Sequence, residues 1–107
     1  MSYDCSEHLH YKVLHLTGEV DLHNSPEVRR CLLDILKRKK PVIIDFSNLK
    51  YIDSSGMATL VEGLNIANKN KLSFMIAGAI GAPLQVIKLT RLDQVFTLVE
   101  SIEEIKE

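Results

Sequence analysis

Residues 41–57 read Pro-Val-Ile-Ile-Asp-Phe-Ser-Asn-Leu-Lys-Tyr-Ile-Asp-Ser-Ser-Gly-Met. The first six form a continuous apolar run rich in β-branched side chains, which is typical of a strand buried on both faces. After a turn at Ser47 and Asn48 and a short extended stretch, apolar side chains return at helical spacing. These helical positions are Met57, Leu60, Val61, Leu64 and Ala67. The stretch therefore predicts a central strand followed closely by a helix.

Two strands are predicted near the start of the chain. Alternating apolar and polar side chains predict a strand over residues 11–17, which Gly18 closes. A second strand is expected over residues 3–6 and would form a short antiparallel pair with the first. The sheet is thus expected to begin with an antiparallel pair.

A helix is predicted between these strands and the central strand. Ser25 followed by Pro26 is typical of a helix start, with the serine oxygen as the cap and proline in the first turn. The helix is expected to end near residues 37–40, because Pro41 cannot continue it. Its apolar face is formed by Val28, Cys31, Leu32, Ile35 and Leu36.

Downstream of the central stretch, the pattern continues to alternate between strands and helices. It predicts a strand over residues 72–77, a helix over residues 83–89 and a short strand over residues 97–99. Ser101 with Glu104 three residues later forms a capping box, which predicts a short final helix. This order favours parallel crossovers, so we expect an α/β domain with a mixed, mostly parallel central sheet and helices packed mainly on one face.

The length of 107 residues predicts one domain, residues 1–107, and the composition predicts that it is globular. Hydrophobic residues make up 46% of the chain and charged residues 25%, which is close to the average for globular proteins. The 13 basic and 14 acidic residues give a net charge of −1 at pH 7, whereas domains that grip phosphate backbones usually carry a strong positive excess. We therefore expect no nucleic acid partner.

The sequence also predicts a cytoplasmic protein without a membrane partner. No apolar run approaches the roughly 20 residues that cross a bilayer, and residues 1–10 lack the pattern of a signal peptide. Cys5 and Cys31 lie in separate predicted elements, without the nearby cysteine that metal and redox motifs require. We expect both to be reduced, buried thiols.

The most informative motif is Asp53-Ser54-Ser55-Gly56 at the start of the second predicted helix. Two hydroxyls lie where free helix amides and the positive end of the helix dipole converge, so a phosphate group would be well received there. Phosphorylation would add about −1.5 to −2 charge and repel a partner fitted to a neutral hydroxyl. The alternative interpretation is structural, since serine is a favoured helix cap.

Three segments resemble the STAS domain family, specifically the bacterial anti-sigma-factor antagonists. Residues 45–57 resemble the family signature, and its most specific part is the Asp-Ser-Ser-Gly block. Residues 16–21, Leu-Thr-Gly-Glu-Val-Asp, resemble the Gly-Glu-hydrophobic-Asp turn of the family. Residues 89–96 resemble its late helix-to-strand segment, so the resemblance extends over nearly the whole chain.

The resemblance implies a partner-switching protein. In such proteins the unphosphorylated form binds an anti-sigma factor that is also a serine kinase, and the sigma factor is thereby released. The phosphorylated residue is the hydroxyl amino acid directly before the glycine, which here is Ser55. The kinase supplies ATP and magnesium, and a metal-dependent serine phosphatase reverses the modification. The chain itself would be a substrate and ligand without a cofactor, not a catalyst, and a monomer or weak dimer.

The same resemblance implies a partner-binding surface on two adjacent loops. The expected residues are Asp21, Leu22, His23, Asn24, Asp53, Ser54, Ser55, Gly56 and Met57. Asp21 and Asp53 would flank the serine and help to present it. For Asp21 a purely local role remains open, because aspartate commonly satisfies backbone amides in turns. Met57 stands where leucine is commoner in the family.

Two alternative chemistries find little support in the residue pattern. His8 and His10 would face the same side of an extended strand, but without Cys or Glu at ligand spacing they do not predict a metal site. Ser54 and Ser55 lack the Gly-x-Ser-x-Gly elbow of serine hydrolases, and every histidine precedes them in the sequence.

Three further functions are alternatives to a phosphorylation switch at Ser55. Residues 78–81, Gly-Ala-Ile-Gly, lack the third glycine or Walker lysine of a phosphate loop and are more typical of a tight turn. The basic residues 37–40 complement a helix C-terminus and are expected to be solvated instead of binding RNA or acidic lipid. The main competitor is a constitutive STAS scaffold in a stress-sensing or transport-associated complex, whereas the intact Ser55-Gly56 pair favours the switch.

Overall fold

The computed structural model describes residues 3–106, which form a sheet flanked by helices. The elements in chain order are β1 (Cys5–His8), β2 (Tyr11–Val20), α1 (Ser25–Lys37), β3 (Val42–Ile52), α2 (Ser54–Lys69), β4 (Phe74–Ala77), α3 (Gly81–Leu89) and β5 (Thr97–Val99). The strands follow the spatial order β1-β2-β3-β4-β5. β1 is antiparallel to β2, and every later pair is parallel. The predicted α/β class and the mixed, mostly parallel sheet are confirmed.

The parallel strands determine where the functional site lies. β2, β3 and β4 each lead into a helix, so the N-termini of α1, α2 and α3 all lie at the edge of the sheet where these strands end. In open α/β sheets, this edge is where ligands and partners usually bind.

The helices bury their apolar residues against one face of the sheet. Val28 of α1, Leu60 of α2 and Ile87 of α3 belong to the same large buried cluster as Ile44 and Phe46 of β3. On the opposite face a smaller cluster contains Tyr11, Val13, Ile43, Ala77 and Ile105. The chain end, with a one-turn 3₁₀ helix at Ile102–Glu104, covers that second face. The prediction that the helices pack mainly on one face is confirmed.

The predicted turn at Ser47 and Asn48 is wrong, because β3 runs without interruption to Ile52. The predicted end of β2 at Gly18 is also wrong, since that strand continues to Val20. The two strands pair along this whole length, with irregularities in register on either side of Thr17 and Gly18. Strand pairing thus overrides the local turn composition, and Gly18 absorbs the irregularity with a φ of 67°.

Both predicted serine caps outside the site are also wrong. Ser25 is the first residue of α1 and is buried, and Asn24 occupies the cap position. Ser101 precedes only a single 3₁₀ turn, and Glu104 accepts a hydrogen bond from the backbone N–H of Glu100 at 3.2 Å. Neither serine hydroxyl makes a cap bond: Asn24 offers only its backbone carbonyl to the N–H groups of Glu27 and Val28, and Ser101 occupies the cap position without a side-chain hydrogen bond.

Other boundaries differ from the predictions by one or two residues. β1 begins at Cys5, β4 begins at Phe74, and α3 begins at Gly81, two residues before Pro83, whereas β5 lies where it was predicted. The prediction of buried thiols is wrong, because Cys5 is exposed and Cys31 is half-buried, although both are free. Cys5 lies on an edge strand, and such a strand is open on one side. Within residues 3–106, no helix is both long and apolar enough to cross a membrane.

Candidate functional site

The N-terminus of α2 is organised by the carboxylate of Asp53, not by either serine. Asp53 Oδ1 accepts hydrogen bonds from the backbone N–H groups of Ser55 at 3.0 Å and Gly56 at 3.1 Å. The same oxygen accepts a third bond from the hydroxyl of Ser55, at 2.6 Å. Ser54 is exposed and Ser55 is half-buried. The interpretation of either serine as the cap is therefore wrong, because a carboxylate accepts these bonds more strongly than a hydroxyl.

This arrangement corrects the expectation that free amides at the helix start would receive a phosphate. The amides of Ser55 and Gly56 already donate to Asp53, and the amide of Met57 donates to the backbone carbonyl of Asp53 at 3.0 Å. A phosphate on the Ser55 hydroxyl would meet a carboxylate at hydrogen-bond distance. The site is therefore arranged for a neutral hydroxyl at Ser55.

The loop between β2 and α1 lies beside this helix start. Asp21 Oδ1 accepts hydrogen bonds from the backbone N–H groups of His23 at 2.9 Å and Asn24 at 3.3 Å. Asn24 Oδ1 in turn accepts from the N–H of Asp21 at 2.7 Å. Asp21 thus satisfies backbone amides within its own turn, which is the local role that the sequence also allows. These hydrogen bonds fix the backbone of the loop and hold the intervening Leu22 with 75% of its surface exposed.

The two loops share one shallow depression at this edge of the sheet. It is lined by Asp21, Leu22, His23 and Asp53. The N–H of Asp53 donates to the carbonyl of Val20 at 3.0 Å, which ties the end of β3 to the end of β2. The structure thus brings together the loop residues and the helix start, which lie about 30 residues apart in the sequence.

Gly56 and Met57 support this surface from beneath. Met57 is only 3% exposed and packs in the large core cluster, so its side chain is not available to a partner. A Cβ atom added to Gly56 would lie 2.6 Å from Ile52 Cγ1 and 2.8 Å from Val20 Cγ1. The missing side chain lets α2 begin directly against the ends of β2 and β3, and this close approach positions Ser55.

Hydrogen bonding also sets the charge state of the site. The hydroxyl of Ser55, followed by the amide of Gly56, lowers the pKa of Asp53 below its ordinary value, and desolvation offsets only part of this effect. A carboxyl whose pKa is lowered on folding adds stability above its unfolded pKa and loses it as the pH falls through the folded pKa. The carboxylate of Asp53 therefore adds stability above the ordinary pKa of an aspartate, and this stability is lost as the pH falls through its lowered pKa in the folded protein.

Replacing Ser55 with alanine is expected to raise the pKa of Asp53, because the hydroxyl is the strongest single stabiliser of its carboxylate. An NMR titration of the Asp53 side-chain carboxyl in both proteins measures the shift. Asp45, on the other face of the sheet, serves as the internal control and should titrate identically in both. An unchanged midpoint for Asp53 would show that the hydroxyl does not bond to it in solution.

Another polar cluster was not predicted from the sequence. Ser6, His15 and Asp45 lie on three adjacent strands and form a continuous hydrogen-bonded row. They are separated by 9 and 30 positions along the chain, and no local motif marks them. Only the register of the strands brings them together. Within residues 3–106, no group of three or more His, Cys, Asp or Glu side chains is placed to hold a metal ion.

The family model for the STAS domain matches residues 3–105. The chain belongs to the STAS domain family. The model accounts for nearly the whole chain, and the five-stranded sheet and three helices described above match the STAS fold.

Solved STAS structures share this architecture. An anti-sigma factor antagonist from Mycobacterium paratuberculosis superimposes with a TM-score of 0.83 at 22% identity, over 96% of this chain and 88% of that chain. The Bacillus cell fate determinant SpoIIAA, in its phosphorylated form, gives 0.75 at 17% identity over 96% and 95%. A sulfate transporter family protein from Wolinella succinogenes gives 0.73 at 14% identity over 85% and 77%. At these identities, the similarity shows a common fold.

Proposed function

We propose that this STAS domain is an anti-sigma-factor antagonist that acts by partner switching, with Ser55 as its phosphorylation site. The observation that carries the proposal is the hydroxyl of Ser55 at the N-terminus of α2, which is half-buried and donates a hydrogen bond to Asp53. The similarity to SpoIIAA supports it, since that protein was solved in a phosphorylated form.

The switch follows from what phosphorylation does to one hydrogen bond. The neutral hydroxyl donates to Asp53 Oδ1 at 2.6 Å. Once Oγ is esterified, it has no hydrogen to donate, and the phosphate adds about −1.5 to −2 charge beside the carboxylate. The phosphoserine side chain must therefore turn away from Asp53 and outward. There it would place its charge in the surface that also includes Leu22 and His23.

The proposal specifies the class of each partner. The unphosphorylated form binds an anti-sigma factor that is also a serine kinase, and this frees the sigma factor to direct transcription. A metal-dependent serine phosphatase restores the hydroxyl. The chain acts in this cycle as substrate and ligand and needs no cofactor of its own, as a monomer or weak dimer. The cycle would operate in the cytoplasm, where ATP and the transcription machinery are present.

The proposed docking surface combines an exposed apolar side chain with polar groups. Leu22 is 75% exposed and would supply the apolar contact, while Asp21, His23 and Asn24 would form its polar rim. Ser54, Ser55 and Asp53 would complete the surface at the helix start. A partner that covers Leu22 would also remove Ser55 from water, because both border the same edge of the sheet.

The alternative is a constitutive STAS scaffold that never undergoes phosphorylation. The similarity to a sulfate transporter family protein is the observation that favours it. Both functions use the same fold, so only modification of Ser55 separates them.

The direct test is phosphorylation in a lysate of the source cells supplied with ATP and magnesium. We expect one phosphate on the tryptic peptide of residues 51–69. Because Ser54 lies on the same peptide, fragmentation of the peptide by mass spectrometry is needed to locate the phosphate at Ser55. Ser55→Ala should abolish the modification and Ser54→Ala should retain it. Phosphate on Ser54 alone would contradict the proposed site. The absence of any phosphate on this peptide, with a known kinase substrate modified in the same lysate, would favour the scaffold.

A further inference from the structure

A row of three side chains crosses the sheet on the face opposite the helices. Ser6 Oγ lies 2.7 Å from His15 Nε2, and His15 Nδ1 lies 2.7 Å from Asp45 Oδ2. His15 and Asp45 are partners in the parallel register of β2 and β3, and Ser6 approaches from β1. Alternation along the strands places all three on the face of the smaller apolar cluster, which contains Val13 and Ile43.

The hydrogen bonds determine which atoms carry protons. Asp45 is 7% exposed, and its Oδ1 accepts from the backbone N–H of Ser47 at 3.0 Å. Burial alone would raise the pKa of Asp45, but the hydrogen bonds from Ser47 and His15 outweigh it and lower the pKa. Asp45 is therefore a carboxylate that can only accept, so the ring must donate from Nδ1. In the neutral ring, Nε2 then presents its lone pair to the hydroxyl of Ser6.

We propose that Ser6 is an activated nucleophile that accepts acyl groups from activated esters, with His15 as its general base and Asp45 as a positioning residue. The proposal goes beyond the partner switch and shares no residue with it. The order of the three side chains matches the general serine–histidine–carboxylate arrangement. In that arrangement the histidine takes the hydroxyl proton of the serine, and the carboxylate fixes the tautomer of the histidine. Ser6 is exposed, so an ester can reach it from solvent.

Acylation of Ser6 requires only the groups already present. The Ser6 Oγ lone pair attacks the ester carbonyl carbon, and the hydroxyl proton passes to His15 Nε2. The bond from that carbon to the leaving alkoxide or phenoxide then breaks, and the leaving group takes the proton from His15. The products are an acyl ester on Ser6 and a free alcohol or phenol, and His15 returns to its neutral state.

The surroundings of Ser6 leave room for a substrate. β1 is the outermost strand of the sheet. The N–H of His15 donates to the carbonyl of Asp4 at 2.9 Å, and hydrogen-bonded positions alternate along an antiparallel ladder. The N–H of Glu7, directly after the nucleophile, therefore points away from β2 and is directed at the open edge.

The test uses the full chain and a fluorophosphonate, an electrophile that reacts with activated serines and releases fluoride. Ser73 is also exposed and serves as the internal reference within the same molecule. A positioned general base accelerates such a step by about 100-fold or more, so we expect Ser6 to be labelled at least about 100 times faster than Ser73. Ser6→Ala should remove this label. Labelling of Ser6 no faster than that of Ser73 would overturn the proposal.

Two further variants separate activation from a merely structural effect. His15→Ala should slow labelling of Ser6 to the rate at Ser73, and added imidazole should restore it because the free ring can occupy the vacated space. Asp45→Asn keeps the size of the side chain and should slow labelling at least about 10-fold, because the ring loses its fixed tautomer. Thermal unfolding confirms that each variant is folded. Unchanged labelling in folded His15→Ala, or a loss that imidazole does not restore, would overturn the role of His15 as base.

Discussion

Ser55→Asp is expected to weaken binding to the proposed anti-sigma factor kinase by at least about 30-fold. The new carboxylate replaces the Ser55 hydroxyl, which lies 2.6 Å from Asp53 Oδ1. Two carboxylates cannot share that hydrogen bond, so one must turn into the surface that the partner covers. A charge left unpaired in a desolvated interface costs about 2–5 kcal/mol. Isothermal titration of the wild type and the variant with the proposed kinase partner measures the difference.

Two neighbouring variants isolate the charge from the shape of the site. The side chain of Ser55→Asn has nearly the same size as that of Ser55→Asp but no charge, so this variant should bind the partner far more tightly than Ser55→Asp. Ser54→Asp adds the same charge one residue earlier, where the side chain is exposed and solvated, and should lose only a small part of the affinity. Equal affinities for Ser55→Asp and Ser55→Asn would refute a switch based on charge.

Gly56→Ala is expected to lower the free energy of unfolding by about 2 kcal/mol. The added methyl group would lie 2.6 Å from Ile52 Cγ1 and 2.8 Å from Val20 Cγ1. Both side chains are fully buried and β-branched, so neither can rotate away without disturbing the core. Overpacking of this kind costs about 1–3 kcal/mol and outweighs the better helix propensity of alanine, at most about 1 kcal/mol. Urea unfolding of both proteins provides the measurement.

The same substitution should also affect the switch. Relief of the clash moves the start of α2 away from β2 and β3, and Ser55 moves with it. We therefore expect Gly56→Ala to be phosphorylated more slowly than the wild type, even where it is fully folded. Ala58→Ser, on the exposed side of the same helix, is the matched control and should change stability by less than about 0.5 kcal/mol. A Gly56→Ala protein as stable as this control would show that the core yields there.

The fold was predictable where a local pattern has one structural solution. The apolar, β-branched run through Val42, Ile43 and Ile44 predicts a strand buried on both faces, and all three side chains are fully buried. The helical spacing after Gly56 can only be an amphipathic helix. Because these two elements are adjacent in the chain, the position of Ser55 at the mouth of α2 followed from the sequence. The family resemblance added the proposed role of that serine.

The errors arose where several residues compete for the same backbone groups. The hydroxyls of Ser25 and Ser55 are both capable caps, but Asn24 and Asp53 lie one and two positions earlier and occupy the cap positions. Ser47 and Asn48 favour a turn, yet β3 continues through them because β2 pairs with Asn48 and with the residues that follow it. The helix starts were decided between residues that are close in the chain, whereas the turn was overridden by pairing with another strand, which local composition does not reveal.

The amino-acid sequence alone determined the α/β class, the order of the strands and helices, and the serine–glycine pair at the start of α2, because periodicity and motif spacing are local properties of the chain. Tertiary structure alone decided which groups meet in space. It set the exposed Leu22 beside Asp53, gave the hydroxyl of Ser55 its carboxylate acceptor, and aligned Ser6, His15 and Asp45 across three strands. These contacts depend on strand register and helix docking, which are set by burial of the whole core.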